Sequence, residues 1–211
     1  MINMENISRE QAIARAFSLQ VSPHRFLLGI IGKPGAGKST FTQFLLEQLS
    51  KEFVAILPMD GFHLSNEDLN ALGRRERKGA PDTFDVANFV KTLHEVKSGI
   101  GTDIYFPLFD RAQEASIPNA GLISAQAQLV IVEGNYLLHA QEGWSEVRSY
   151  LDESWFLNID DQLRIQRLIA RHISFGKSPE DAKAWSEGTD EANARLIQNS
   201  AKNANYVVRL D

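Results

Sequence analysis

The sequence predicts an α/β fold in which helices cover both faces of a five-stranded parallel sheet. Short runs rich in Val, Ile and Leu alternate along the chain with stretches of helical periodicity, as expected for strands joined by crossover helices. A glycine-rich turn separates one of these runs from the helix that follows it. Because such crossovers are right-handed, we expect the ligand at the carboxyl ends of the strands.

Five apolar runs supply the predicted strands, at residues 26–31, 53–60, 129–135, 155–159 and 206–210. Besides the helix after the glycine-rich turn, helical patterns occupy residues 8–20, 86–98, 161–173, 179–186 and 190–203. The first helix is amphipathic, and we expect Ile13, Ala16, Phe17 and Leu19 on its buried face. The pattern of residues 104–111 predicts a short strand that leads into a loop. Residues 112–128 predict either a hairpin or a loop that passes over the ligand site at the carboxyl ends of the strands.

Length and composition indicate a single domain over residues 1–211. Within it we expect a small helical lid at about 161–180 and two segments that leave the core to form the substrate site, at about 62–83 and 105–125. The hydrophobic fraction of 43% supports a sizeable core, and the net charge of −5 gives nucleic acid no general attraction. Cysteine is absent, which excludes thiol catalysis, zinc–cysteine sites and disulfides. With neither a signal-peptide pattern nor an apolar run near the roughly 18 residues of a membrane helix, we expect a cytoplasmic protein. The sequence leaves the oligomeric state open, and a dimer is among the states that it allows.

Residues 32–40, GKPGAGKST, fit the pattern G-x-x-x-x-G-K-[ST] between an apolar strand and a helical pattern. Glycines allow the backbone N–H groups to turn inward on a phosphate, and the following helix adds the positive end of its dipole. Lys38 adds a full charge, and Ser39 offers a hydroxyl to Mg²⁺. The predicted nucleotide-binding residues are Gly32, Lys33, Pro34, Gly35, Ala36, Gly37, Lys38, Ser39 and Thr40. The alternative is a glycine-rich turn that binds nothing.

Two carboxylates follow predicted core strands at the same edge of the sheet. Asp60 stands immediately before a glycine, where it would accept a hydroxyl proton from a substrate or help to hold Mg²⁺. Its alternative role is that of a helix cap or turn residue. Glu133 follows the run LVIV in the manner of a Walker B acid, which orients magnesium or polarises a nucleophile, unless it is a turn residue before Gly134. The predicted magnesium ligands are therefore Ser39, Glu133 and Asp60.

Arg164, Arg167 and Arg171 follow one another at i, i+3 and i+7 within a predicted helix, so the three side chains share one face. A row of guanidinium groups beside a triphosphate suits the charge that develops on a transferred phosphoryl group. Arg167 and Arg171 are accordingly catalytic candidates, together with Lys38 and Asp60. The alternative is a solvated helix face whose ion pairs lie elsewhere.

The polar segment after Asp60 contains further candidates. His63 would bind a substrate hydroxyl or pack against its own loop. In the sequence APDTFD we interpret Asp85 as a helix cap, which leaves Asp82 free to bind substrate. The basic run of Arg74, Arg75, Arg77 and Lys78 is interpreted as solvated, like most such runs.

Taken together, the segments GKPGAGKST, PMDGFH, RKGAPDTFD, VIVEGNYLL and RLIARH resemble the uridine kinase, phosphoribulokinase and pantothenate kinase group of P-loop kinases. Within that group the chain looks similar to bacterial proteins named "putative fructose transport system kinase" or nucleoside-kinase-like. The resemblance covers residues 25–210 in order. It implies a P-loop NTPase fold, a three-layer α/β/α arrangement with a five-stranded parallel sheet and a lid that closes over the phosphates.

The resemblance also implies roles for individual residues. It makes Asp60 the general base, Glu133 a magnesium-binding acid and Arg171 a lid residue that contacts the nucleotide phosphates. The position of Asp82 matches an acid that contacts acceptor hydroxyls in uridine kinases. Asp110 and Arg111 loosely match features that bind a pyrimidine nucleoside, and they join the substrate candidates.

These observations lead to the hypothesis of an ATP- and Mg²⁺-dependent kinase. Its acceptor would be a hydroxyl of a small polyhydroxylated metabolite, either a sugar or a nucleoside-like compound. One rival is a regulatory GTPase, which is disfavoured because the chain contains no N-K-x-D guanine-binding motif. The other is a nucleotide-binding sensor without kinase activity.

Overall fold

The computed structural model describes residues 5–22, 24–141 and 143–210. In chain order the strands are β1 (Glu5–Ile7), β2 (Phe26–Ile31), β3 (Val54–Pro58), β4 (Ile104–Asp110), β5 (Ala115–Ile123), β6 (Leu129–Gly134), β7 (Glu153–Asn158) and β8 (Tyr206–Arg209). The helices are α1 (Arg9–Leu19), α2 (Lys38–Gln48), α3 (Asn66–Ala71), α4 (Val86–Ser98), α5 (Val147–Tyr150), α6 (Asp161–Ser174), α7 (Pro179–Glu187) and α8 (Thr189–Ser200).

Six strands form the central sheet, in the order β1-β8-β7-β2-β6-β3, and every neighbouring pair is parallel. The prediction of five strands is therefore wrong by one. The additional strand, β1, pairs with β8 at the edge of the sheet, from Glu5 opposite Tyr206 to Ile7 opposite Val208. Only one of its three residues, Ile7, is buried, so β1 carries too short and too polar a pattern for recognition from periodicity.

Helices cover both faces of the sheet, as the alternation of side chains along β2 shows. Leu27 and Ile31 pack into a core with α4 and α8, whereas Leu28 and Ile30 pack on the opposite face with α1 and α2. All four side chains are fully buried, which explains why the strand reads as a continuous apolar run. The α/β/α layering is thus confirmed.

The predicted helices are present, with bounds within three residues of those expected. Ser8 caps α1 in a capping box, Asp85 caps α4, and Ser178 with Pro179 begins α7. The buried face of α1 differs from the prediction, because Phe17 is 45% exposed and the fully buried residues are Ala12 and Ala16. None of the helices described here is long and apolar enough to cross a membrane.

The segment after α4 forms an antiparallel hairpin of β4 and β5, in agreement with one of the two forms expected for residues 112–128. The hairpin packs directly on the 3₁₀ turn Met59–Phe62 that follows β3. A Cβ atom at Gly61 would lie only 1.9 Å from the carbonyl oxygen of Pro107, so this contact requires glycine. The hairpin is thereby held against the turn that carries Asp60.

Candidate active site

Residues 32–37 form the loop between β2 and α2, at the carboxyl end of the sheet. Gly35 and Gly37 have φ values of 81° and 84°, in the left-handed region that glycine adopts without strain. A Cβ at Gly35 would also lie 2.8 Å from the side chain of Leu168, so the loop touches α6 without space for a larger residue. The loop, with the amino end of α2 behind it, has the conformation that phosphate binding needs.

The ammonium group of Lys38 lies across this loop. Its Nζ donates to the carbonyl oxygen of Gly32 (3.0 Å) and to Oδ1 of Asn135 (2.6 Å). Burial lowers the pKa of Lys38 to about 8, against the opposing charges of Glu133 and Asp60. Asn135 was absent from the predicted site, although its position two residues after Glu133 was a signal for it.

Glu133 is the penultimate residue of the buried strand β6 and accepts two hydroxyl hydrogen bonds. Ser39 Oγ donates to its Oε1 (2.9 Å) and Thr42 Oγ1 to its Oε2 (3.3 Å). Burial raises the pKa of Glu133, so a cation beside it would stabilise the ionised form. A hydroxyl and a carboxylate are oxygen donors of the kind that Mg²⁺ takes together with nucleotide phosphates, and these residues fit that ion. Thr42 was not predicted.

Asp60 lies in the 3₁₀ turn after β3, at the carboxyl end of the sheet. Its Oδ2 is 3.3 Å from Nη2 of Arg111, and its side chain is 39% exposed. The turn has no side-chain cap, so within the described residues Asp60 does not serve the capping role considered as its alternative. Its negative charge opposes the effect of burial on the pKa of Lys38.

His63 packs against its own loop, which is one of the two roles considered for it. The ring lies between the aromatic rings of Phe84 and Phe109, with centroid distances of 4.0 and 4.9 Å. Its Nδ1 is 2.8 Å from the carbonyl oxygen of Asp60, and burial lowers the pKa of His63. Since a carbonyl oxygen only accepts, the neutral ring carries its proton on Nδ1, and Nε2 is left as an acceptor for a hydroxyl.

Asp82 is not free, contrary to the expectation from sequence. The guanidinium of Arg77 binds both of its carboxylate oxygens, and Nε of Arg74 is 3.3 Å from Oδ2. Arg74 also donates to the backbone carbonyl of Asp82 (2.8 Å). The basic run of residues 74–78 is therefore not simply solvated, because two 3₁₀ turns fold it back on itself. The other two basic residues of the run also have partners: Arg75 pairs with Glu114, and Lys78 donates to Asn66.

Asp110 and Arg111 differ in what they contact. The carboxylate of Asp110 accepts hydrogen bonds from the backbone N–H groups of Gln113 (2.9 Å) and Ala112 (2.8 Å), which closes the hairpin turn. These bonds, the one from Gln113 foremost, lower the pKa of Asp110. Arg111 is the neighbour that reaches Asp60. A substrate contact by Asp110 would require an exchange of the turn's hydrogen bonds.

The arginine row divides into one buried residue and two exposed residues. Arg164 is 1% exposed, and it donates to Asp161 (2.8 Å), Glu191 (2.5 Å) and the carbonyl oxygen of Pro34 (3.4 Å). It therefore joins the phosphate loop to α6 and α8, so that Arg164 of the predicted arginine row is buried in ion pairs. Arg167 and Arg171 remain exposed, with Nη1 of Arg167 3.6 Å from the position that a Cβ of Gly37 would occupy.

A family model described as "Phosphoribulokinase / Uridine kinase family" matches residues 27–210. The chain belongs to this family. The phosphoribulokinase/uridine kinase family consists of P-loop kinases, which phosphorylate small molecules with ATP and generally use Mg²⁺.

Individual relatives agree with this membership. The Escherichia coli K12 protein YggC is 37% identical over 98% of this chain and 87% of its own length. The crystal structure of a "putative fructose transport system kinase" from Silicibacter sp. TM1040 is 33% identical, with a TM-score of 0.83 over 95% of this chain and 98% of that one. A Schizosaccharomyces pombe protein named "Putative uridine kinase C227.14" is 29% identical over 96% of this chain and 90% of its own length.

Glu133→Gln tests the metal-binding part of the site. Glutamine keeps the size and one acceptor oxygen for a hydroxyl, but it removes the charge that an ion would neutralise. We expect the magnesium concentration for half-maximal activity to rise on the order of 10–100-fold. The measurement is a magnesium titration of ADP production, with the exposed Glu146→Gln as control. A titration curve that superimposes on that of the unmodified chain would remove Glu133 from the metal site.

Arg171→Ala tests whether this arginine meets the charge that develops during transfer. Although the surface of Arg171 is largely exposed, neighbouring protein atoms remove part of the water around its guanidinium. This desolvation, and then the charge of Arg111, lower the pKa of Arg171, so an added anion would be favoured beside it. We expect kcat to fall more than ATP affinity, and lysine to rescue only in part because it lacks the guanidinium fork. Full rescue by Arg171→Lys would assign the residue a screening role only.

Proposed function

We propose that this member of the phosphoribulokinase/uridine kinase family transfers the γ-phosphate of ATP to a hydroxyl of a small polyhydroxylated metabolite, a sugar or a nucleoside-like compound. The observation that carries the proposal is the position of Asp60. Its carboxylate is partly exposed at the carboxyl end of the sheet, does not cap the turn that carries it, and acts electrostatically on Lys38. A general base in that place serves proton removal from an acceptor, which nucleotide binding alone does not need.

The nucleotide part of the proposal assigns the loop of residues 32–40 and Lys38 to the β- and γ-phosphates. Ser39 and Glu133, with Asp60 as a further candidate, would hold Mg²⁺, which when bound neutralises phosphate charge. Arg167 and Arg171 would stabilise the transferring group. In the transfer the acceptor's proton passes to Asp60, its oxygen bonds to the γ-phosphorus, and the bond to the leaving ADP oxygen breaks.

The acceptor would lie among Asp60, His63, Asp82, Asp110 and Arg111. His63 Nε2, with the tautomer fixed by the carbonyl of Asp60, is suited to accept a hydrogen bond from a substrate hydroxyl. Asp82 would have to exchange one of its arginine partners to do the same. Because ATP is a cytoplasmic metabolite, we place the reaction in the cytoplasm.

We assign the lid to residues 161–180, within one kinase domain that spans the chain. The amino end of this segment is fixed to the phosphate loop through Arg164, whereas its far end carries the exposed Phe175. The guanidinium of Arg111 lies 6.0 Å from the centre of the Phe175 ring. Closure of the far end would therefore bring the lid toward Arg111 and the other residues proposed to bind the acceptor.

An ADP-release screen tests the proposal directly. The purified protein is assayed with ATP and Mg²⁺ over sugars, nucleosides and pantothenate, with parallel binding titrations of ATP and GTP. We expect ADP production to rise above background with at least one acceptor, and ATP to bind more tightly than GTP. A sensor without kinase activity would bind ATP but never exceed background hydrolysis, and a preference for GTP would support the regulatory GTPase.

A further inference from the structure

Three consecutive residues of the phosphate loop rest on the first turns of α6. Lys33 Nζ donates to Oδ1 of Asp161 at 2.5 Å. The carbonyl oxygen of Pro34 accepts from Nη1 of Arg164 at 3.4 Å. A Cβ atom at Gly35 would lie 2.8 Å from the backbone carbonyl oxygen of Arg164, so the two segments touch. The conformation of the loop is therefore supported from one side by α6.

The hydrogen bond to Pro34 controls the direction of the next N–H group. In a trans peptide unit the C=O and N–H bonds point in opposite directions, and the described chain contains no cis peptide. With the oxygen of Pro34 held by Arg164, the N–H of Gly35 points away from that guanidinium. This N–H forms no backbone hydrogen bond in the described chain, so it is available as a donor to a phosphate.

The guanidinium of Arg164 is itself held by two carboxylates. Its Nε donates to Oδ1 of Asp161 at 2.8 Å, and its Nη2 to Oε2 of Glu191 at 2.5 Å. Both bonds are shorter than the 3.4 Å contact with Pro34. Burial disfavours the charged form of Arg164, but the two carboxylates outweigh that effect and raise its pKa. The carboxylates rather than the carbonyl oxygen therefore fix the position of the guanidinium.

Glu191 differs from Asp161 because it holds Arg164 from outside α6. Asp161 lies on the same helix, three residues before Arg164, so it does not fix that helix relative to another element. Glu191 lies in the first turn of α8, and Ile197 of the same helix packs in one core cluster with Ile31 of β2. Since β2 runs directly into the phosphate loop, Glu191 ties Arg164 to the rigid layer from which the loop starts.

We propose that Arg164 is a positioning residue for the phosphate loop, and that Glu191 of α8 holds its guanidinium where it fixes the carbonyl of Pro34. Neither residue touches the nucleotide or the reacting atoms, because both act through the backbone of residues 33–35. The inference rests on the nucleotide-binding role proposed for that loop. A displacement of about 1 Å in a reactant costs on the order of 10²-fold in rate, so this support affects transfer from a distance.

Glu191→Gln tests the proposal, because glutamine keeps the size of the side chain but removes the charge that holds Arg164. ATP affinity is measured by calorimetric titration with Mg²⁺, and kcat with an acceptor identified by the ADP-release screen. We expect the Kd for ATP to rise on the order of 10-fold, as for the loss of one charged hydrogen bond, and kcat to fall on the order of 10–100-fold. Arg164→Lys should cause similar losses, since an ammonium group does not span the directions of the guanidinium fork.

The control is the loss of a buried ion pair elsewhere, because such a loss destabilises a protein wherever it occurs. Glu153 is 6% exposed and pairs with Arg15 at 2.5 Å. It begins β7, at the opposite end of the sheet from the phosphate loop. Glu153→Gln and Glu191→Gln should both lower the unfolding midpoint measured by circular dichroism. We expect the Kd for ATP and kcat to stay within about two-fold in Glu153→Gln alone.

A double variant separates positioning from stability. Arg164→Met combined with Glu191→Gln removes the buried guanidinium as well as its partner, so we expect the unfolding midpoint to recover relative to Glu191→Gln. ATP affinity should nevertheless stay low, because the carbonyl oxygen of Pro34 has lost its donor. A residue that only stabilised the fold would give the opposite result, in which ATP affinity returns together with the midpoint.

Three results would overturn the inference. They are unchanged ATP affinity and kcat in folded Glu191→Gln, equal losses in Glu153→Gln, and a double variant that regains both quantities. Failure of the proposed kinase function gives a different result, namely ATP binding without acceptor-dependent ADP production, and the ATP affinities of the variants then still decide the role of Arg164. If the unmodified chain binds no ATP, the nucleotide role of the loop and this inference are both contradicted.

Discussion

Asp60→Asn is expected to lower kcat on the order of 10²–10⁴-fold, the usual contribution of a general base. Asparagine keeps the size of the side chain and much of its hydrogen bonding, but it does not take up a proton at neutral pH. ATP binding should persist, because the loop of residues 32–37 and Lys38 carry it. The measurement is single-turnover phosphoryl transfer with an acceptor identified by the ADP-release screen, together with an ATP titration.

The matched control for this variant is Asp85→Asn. Asp85 caps α4 by accepting from the N–H of Asn88 (3.0 Å), and asparagine caps nearly as well as aspartate. The same chemical change should therefore leave activity within a few-fold of the original at Asp85 and nearly abolish it at Asp60. A near-normal transfer rate in Asp60→Asn would defeat the catalytic role, and the kinase function would then rest on the phosphate site alone.

Lys38→Met is expected to weaken ATP binding and to lower turnover on the order of 10²–10³-fold, as for the loss of one preorganised charge-stabilising donor. Methionine retains the aliphatic part of the side chain but removes the ammonium group that meets the phosphates. The exposed Lys91→Met, whose side chain is 73% exposed, serves as control for the loss of one positive charge. Unchanged ATP affinity together with unchanged turnover would remove the phosphate-binding role from Lys38.

The same variant should not destabilise the free protein. Burial lowers the pKa of Lys38 from its ordinary value of 10.5 to about 8, so the ammonium is less favourable in the folded than in the unfolded chain. Between these two pH values the unfolded state binds the additional proton, and the stability of the unmodified chain rises with pH. Relative to Lys38→Met, the free energy of unfolding should increase from about pH 8 to 10.5. A parallel pH dependence in both proteins would contradict the shifted pKa.

Sequence patterns alone were sufficient for the α/β class, for five of the six strands of the central sheet and for the phosphate loop. Each of these depends on residues that are close together in the chain. A glycine at a left-handed φ, such as Gly35 or Gly37, and a fully buried strand such as β2 leave local signals that need no knowledge of distant partners. Asp60 and Glu133 could be placed at the same sheet edge because parallel strands all end there.

Contacts between distant segments were decided only by the tertiary structure. Arg164 looks equivalent to Arg167 on a helical wheel, yet α8 and the phosphate loop cover it and leave Arg167 exposed. Asp82 is held by arginines that a pair of 3₁₀ turns folds back onto it. Arg111 reaches Asp60 across 51 residues of chain because the hairpin packs on Gly61. Periodicity reports which side of an element is buried, whereas the partner of a charged group depends on how separate elements pack together.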